Sequence, residues 1–282
     1  MRLIRSIKGM SLASCKIKER GKSIGFVPTM GALHKGHLSL IRRARKDNDF
    51  VVVSIFVNPT QFSPQEDFKR YPRPIKKDIA ICRKAGVDFV FYPEAGDMYP
   101  AGFKTYAAVE DLSSVLCGRS RTGHFRGVTT VVAKLFNIVQ PNRAYFGQKD
   151  AQQAAIIKRM TEDLNFPIQI KVMPTFREKD GLAMSSRNIY LNQREKKDAL
   201  VLIQALKLAK ALVRRGIKDT KRIISRMRQV IAGKKNIRID YISIVDLNEL
   251  KPVKRICGSV LVALAVFIGK TRLIDNAIIK NA

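Results

Sequence analysis

The sequence predicts an α/β protein, a Rossmann-like doubly wound parallel sheet followed by a second, smaller α+β C-terminal domain. Three observations carry this. Strand-like and helix-like runs alternate from residue 23 to residue 173 at the spacing of βαβ units. Residues 50–57, FVVVSIFV, form an uninterrupted β-branched and aromatic run, as in a strand buried on both faces. Beyond residue 187 the alternation stops, and two helical patterns precede strand-like runs.

Taken in order, residues 23–29 (SIGFVPT) read as a buried strand and 37–47 as a helix with Leu38, Leu40 and Ile41 among basic residues. The strand at 50–57 ends at Asn58-Pro59. A helix is expected over 74–85, a strand over 87–93, and a helix over 127–139 ended by Pro141. A short strand at 143–146, a helix at 150–164 and a strand at 168–173 complete the first domain, residues 1–176. The second domain, 177–282, is expected to hold helices over 192–215 and 219–232, strands over 238–246 and 259–267, and a short strand near 272–273. The junction falls in 174–187.

Composition narrows the function classes. The chain has 282 residues, 46% of them hydrophobic, enough for a large core. No stretch of about 18 apolar residues occurs, so no membrane span is expected; the most apolar run, 258–269, suits a buried strand. The start lacks a continuous apolar core with a small-residue cleavage site, so no signal peptide is expected and the location is read as cytoplasmic. Cys15, Cys82, Cys117 and Cys257 are scattered, which suits reduced, mostly buried thiols better than zinc or disulfides. The net charge is +30, which raises nucleic acid as a partner. It is divided evenly, +15 over residues 1–176 and +15 over 177–282, with no basic tail, so specific nucleic-acid binding is not expected.

Four motifs follow strands or the junction. PTMGALHKGH (28–37) runs from a strand through a turn into a helix start, where free N–H groups bind phosphate. His34 and His37 can address one anion there, donating to phosphoryl oxygens as charge builds. VNPTQF (57–62) places Asn58 and Gln61 past a buried strand; such neutral groups suit hydroxyls and a carboxylate, with ordinary turn chemistry as the alternative. FGQKDAQQ (146–153) puts Lys149 where phosphate lies at a helix start, Asp150 as a cap or a ribose or metal contact, and Gln153 one turn on. GLAMSSRNIYL (181–191) offers Ser185, Ser186 and Arg187 as triphosphate ligands; an N-cap role is disfavoured because the next helix starts near residue 192.

These motifs, in this order, resemble the HxGH and MSK-type motifs of the nucleotidyltransferase superfamily. With YPRP (71–74) and HFRGVTTVVAKLFNIVQP (124–141) added, the chain is similar to the pantothenate synthetase family, closely from residue 28 to residue 191 and more loosely to the end. The resemblance implies an ATP-dependent ligase of the cytoplasm. Pantoate attacks the α-phosphate of ATP, pyrophosphate leaves, and β-alanine attacks the pantoyl-adenylate to release AMP and pantothenate. It implies an ATP site of Met30, Gly31, Ala32, Leu33, His34, Lys35, Gly36, His37, Gly147, Gln148, Lys149, Asp150, Phe176, Met184, Ser185, Ser186 and Arg187. Catalysis would rest on His34, His37, Lys149 and Arg187, with pantoate on Gln61, Gln153, Met30 and Asn58. Asp78 lies where some relatives hold Mg²⁺, and Arg121 and His124 match polar positions near the site. Gln148 departs from the glutamate that many members carry. The resemblance also implies a lid-like second domain and a homodimer through the first.

Two rival readings differ in class. An adenylyltransferase acting on a phosphorylated cofactor precursor shares the HxGH turn but does not require paired Gln61 and Gln153. An RNA-binding module would draw on the +30 charge.

Overall fold

A computed structural model describes residues 1–64, 66–234 and 236–280. Its first layer is a six-stranded, all-parallel sheet with helices around it. The chain runs β1 (Arg2–Ile4), α1 (Ile7–Glu19), β2 (Ile24–Thr29), α2 (Lys35–Asp47), β3 (Phe50–Ile55), α3 (Ile75–Lys84) and β4 (Phe89–Phe91). Short helices α4 (Ala95–Met98) and α5 (Cys117–Ser120) lead to α6 (His124–Val139), β5 (Arg143–Gly147), α7 (Ala151–Asp163) and β6 (Gln169–Met173). The strand order is β1-β4-β3-β2-β5-β6. Leaving β2 the chain builds to one side through β3 and β4, then returns to lay β5 on the other side of β2. A crevice therefore opens beyond the carboxyl ends of β2 and β5, where such sheets bind ligands.

The buried runs follow from two-faced burial. In β2 and β3, Phe26 and Val52 enter one core, while Val27, Val51 and Val53 enter the core on the opposite face. Successive side chains point to opposite faces, so a strand covered on both sides must be apolar throughout. Each large side chain so buried contributes roughly 1.5–3 kcal/mol.

The C-terminal domain holds α8 (Gln193–Ala199), α9 (Val201–Arg214), α10 (Thr220–Ala232) and the antiparallel sheet β7 (Ile237–Val245), β8 (Ser259–Ile268), β9 (Thr271–Lys280). Val260, Val262, Leu264 and Val266 of β8 pack under the helices, whereas Leu261 and Ala263 join the core of the first domain. The second sheet is thus seated on the first domain by an apolar face. Among the described residues no helix is long and apolar enough to cross a membrane.

Several expectations change. Helices α2 and α6 start two and three residues earlier than expected. The helix expected over 192–215 is two helices, broken at Leu200; Asn192 caps the first through a reciprocal box with Glu195. The short strand near 272–273 is the ten-residue β9, because its alternation is masked by polar Asp275 and Asn276 turned inward. Strand β1 and helix α1 were not anticipated, although Ser6 caps α1 and Met10 and Ile17 lie on its buried face. All four cysteines are free; Cys82 and Cys117 are buried, but Cys15 and Cys257 are exposed.

Candidate active site

The crevice beyond β2 and β5 is a cleft that opens to solvent, with about 240 Å³ of cavity volume. It is lined by Met30, His34, Gly36 and His37 after β2, Asn58 and Gln61 after β3, and Gly147, Lys149, Asp150 and Gln153 after β5. Phe176, Met184, Ser185, Ser186 and Arg187 close it from the segment leading into the C-terminal domain. Four separated stretches thus converge because three follow strands of one sheet.

The turn after β2 is organised by its own histidines. His34 occupies the N-cap of α2, and its Nδ1 accepts from Gly36 N at 3.1 Å. His37 returns the favour, its Nδ1 accepting from His34 N at 3.3 Å. The ring centroids lie 4.0 Å apart. Gly36 is required there: a Cβ would sit 2.9 Å from His34 Cε1. An Nδ1 that accepts leaves the neutral ring's proton on Nε2. Burial, then the neighbouring His34 ring, pushes the His37 pKa down to about 3. Burial, then the charge of Lys149, pushes that of His34 down to about 4. Both rings are therefore neutral Nε2–H donors at a helix N-terminus, the setting for an anion.

Lys149 and Asp150 face this turn, with Nζ 3.3 Å from Oδ1. Burial would raise the Asp150 carboxyl, but the ammonium beside it holds it below the usual range. Asp150 stands at the N-cap of α7 without making a side-chain cap, contrary to one expectation. Ser185 does cap a helix, accepting from Arg187 N at 3.3 Å at the start of an unanticipated 3-10 turn, Ser186–Tyr190. Arg187 is paired with Asp67 through Nε (3.0 Å) and Nη2 (2.8 Å).

On the opposite wall, Gln61 is fixed from both ends. Its Oε1 accepts from Asn58 Nδ2 at 3.2 Å, and Nε2 lies 2.9 Å from Met30 Sδ. Asn58 is buried and otherwise satisfied by Thr60, Tyr99 and Gly127, so it acts on the cleft through Gln61 and the turn it caps. That turn crosses α6 so closely that a Cβ on Gly127 would lie 2.4 Å from Thr60 O. Arg121 and His124 belong to the same wall. Glu66 holds Arg121, Arg121 Nη1 reaches His124 Nε2 at 2.8 Å, and His124 Nδ1 donates to Gln61 O at 2.8 Å. Burial, then Arg121, pushes the His124 pKa down to about 4, so this ring is neutral with its proton on Nδ1.

Some candidate residues are not in the cleft. Asp78 is buried behind the turn after β2, where its carboxylate accepts from Ala32 N and Leu33 N at 2.8 Å each. It holds that turn and is not among the residues that line the cleft. Gly31, Ala32 and Leu33 consequently face Asp78 or the core, and Lys35 is exposed on α2 outside the cleft lining. Gln148 also turns away: its amide bonds Asn276 of β9 at 3.1 Å. Other lining residues carry no assigned role in the sequence, although Tyr71 belongs to the YPRP motif. Tyr71 reaches Ser186 Oγ at 3.2 Å, and Thr175 carries a buried hydroxyl oxygen with no protein partner at the cleft wall. Thr175 follows β6 as the other site residues follow β2, β3 and β5, and that position was its available signal.

The family model for pantoate–β-alanine ligase matches residues 2–278. The chain is 55% identical over 280 residues to the pantothenate synthetase of Moorella thermoacetica, covering 99% of each. It superposes on the crystal structure of pantothenate synthetase from Thermus thermophilus with a TM-score of 0.94, at 43% identity over 98% of this chain and 99% of that one. The pantoate–β-alanine ligase of Francisella tularensis, solved with β,γ-ATP and β-alanine, gives a TM-score of 0.81 at 35% identity over 98% and 97%.

Proposed function

The chain belongs to the pantoate–β-alanine ligase family, and from that premise we propose how its cleft divides the labour of the reaction. The reaction joins (R)-pantoate to β-alanine with ATP, through a pantoyl-adenylate, and releases AMP and pyrophosphate. The observation that supports the site assignment is the meeting of two neutral imidazole donors with Lys149 and Arg187 where β2 and β5 end.

In the first step a pantoate carboxylate oxygen attacks the α-phosphorus, and the bond to the bridging oxygen of pyrophosphate breaks. Charge moves onto the leaving group, so positioning and electrostatics dominate. The Nε2–H groups of His34 and His37, the ammonium of Lys149 and the free Nη1 of Arg187 are the donors for that charge. His37 acts as a hydrogen-bond donor, since a ring with a pKa near 3 carries no spare proton at neutral pH. Gln61 and Gln153 hold pantoate, with Met30 packed against it. Phe176, 40% exposed beside Gly36, offers an aromatic face to adenine, and Thr175, Ser185 and Ser186 offer hydroxyls. In the second step the β-alanine amine attacks the acyl carbon and AMP leaves.

Among the described residues no three metal-binding side chains cluster, and Asp150 is the sole acidic residue lining the cleft. Asp150 is the side chain that would help hold a Mg²⁺ ion brought in with the nucleotide, and such an ion would neutralise polyphosphate charge. Residues 1–176 form the ATP- and pantoate-binding domain and 177–282 the lid, the last two lying outside the described residues. A homodimer through the first domain and a cytoplasmic location rest on the family resemblance.

Pyrophosphate exchange into ATP tests the reading. Exchange should require pantoate, and AMP should form one for one with pantothenate. Stoichiometric ADP, or exchange indifferent to pantoate, overturns it.

A further inference from the structure

Lys149 lies in a 3-10 turn, Gln148–Asp150, that leads directly into α7. Gly147 makes no side-chain cap for the 3-10 turn Gln148–Asp150, and Asp150 makes none for α7. The turn's Gln148 and Lys149 carbonyls are held from the C-terminal sheet. Asn276 of β9, 5% exposed, donates from Nδ2 to Gln148 O and to Lys149 O, each at 2.9 Å. Its Oδ1 accepts from Gln148 Nε2 at 3.1 Å. One amide thus uses both its hydrogens on the two carbonyls that bracket the Lys149 backbone.

The preceding residue holds the other phosphate-side segment. Asp275 pairs with Arg177 through both carboxylate oxygens, at 2.7 and 2.9 Å, and Arg177 donates to Gly181 O at 3.1 Å. Asp275 Oδ1 also accepts from Asn276 N at 2.8 Å. Both residues lie mid-strand, opposite Leu264 and Ala263 of β8, and Ala263 is packed into the first-domain core. A site group is held best by a rigid element with locked side chains.

We propose that Asn276 is a positioning residue for Lys149, so that the C-terminal sheet sets the geometry of the phosphate donor and not only covers the cleft. This rests on the reading of Lys149 as a ligand of the leaving pyrophosphate. A displacement of about 1 Å at such a group costs up to roughly 10²-fold in rate.

The test measures both half-reactions in single turnovers with Asn276→Ala, Lys149→Ala and the double variant. Asn276→Ala should slow adenylate formation roughly 10- to 100-fold. It should leave aminolysis of supplied pantoyl-adenylate within about twofold, the scatter of independent sites. The double variant should adenylate no slower than Lys149→Ala alone, because the two changes act through one group. Equal losses in both half-reactions, or multiplicative losses in the double variant, overturn the proposal. If Asn276→Ala adenylates normally while Lys149→Ala is slow, the positioning role fails and the site reading stands. If Lys149→Ala itself adenylates normally, both fail. Should Asn276→Ala not fold, Gln148→Ala removes only the Oδ1 leg; a smaller loss confined to adenylation supports the proposal, and an unchanged rate overturns it.

Discussion

Arg187 and Asp67 are joined by two parallel hydrogen bonds, from Nε at 3.0 Å and Nη2 at 2.8 Å, across 120 residues of sequence. The pair ties the segment entering the C-terminal domain to the turn after β3, and Tyr71 and Ser186 tie it again. Burial raises the Asp67 carboxyl, but Arg187 overcomes this and holds it below the usual range. The guanidinium is gripped from its side, through Nε and Nη2, and among the described residues Nη1 has no hydrogen-bond partner.

Asp67→Asn should therefore raise the KM for ATP about tenfold, the order of one charge-assisted hydrogen bond. Arg187→Lys should not restore wild-type kinetics, because an ammonium cannot hold Asp67 and phosphate in a planar fork. Steady-state kinetics at varied ATP checks both. An unchanged KM in Asp67→Asn would show that Arg187 finds its phosphate unaided.

The chain has three histidines, and all three have depressed pKa values: His37 about 3, His34 and His124 about 4. Imidazole NMR should show no titration in the folded, ligand-free protein from pH 8 to about 5. An inflection near 6.5 from His34 or His37 would mean that the rings are not the neutral donors described. Because the unfolded chain takes up these protons near pH 6.5 and the folded chain does not, stability rises with pH through that window. Denaturation midpoints should fall as pH drops from 6.5 toward 4.

On the proposed assignment, His37→Ala and Lys149→Ala each remove a donor to the charge that develops on pyrophosphate. Each should slow adenylate formation by roughly 10²–10³. Attack of β-alanine on supplied pantoyl-adenylate, when pyrophosphate is absent, should fall far less. If aminolysis falls as far as adenylation in both variants, the triphosphate does not lie between these two turns.

The +30 charge is spread over both domains and should give only weak polyanion binding. Filter binding to duplex DNA or RNA should be lost by about physiological salt, where non-specific constants are about 10⁻⁴–10⁻⁶ M. Tight, sequence-dependent RNA binding at that salt would revive the RNA-binding reading.

What the sequence determined by itself was whatever rests on local order. Strands β2, β3 and β8 could be read because burial on both faces demands uninterrupted apolar runs, and that pattern needs no partner to be visible. His34, His37, Gln61, Lys149 and Arg187 could be read because polar groups placed after strands, or at the junction, stand out against such runs. The reach of β9 could not be read, since Asp275 and Asn276 break its pattern and their reason lies in Arg177 and Gln148, 98 and 128 residues away. Asp78 is placed near a metal only by resemblance to relatives; that Ala32 and Leu33 donate to its oxygens is visible only in the fold. The protonation of the histidines, the grip of Asp67 on Arg187 and the turning of Gln148 out of the cleft are likewise decided by tertiary structure. Burial and long-range hydrogen bonds set them, and neither is a property of neighbours along the chain.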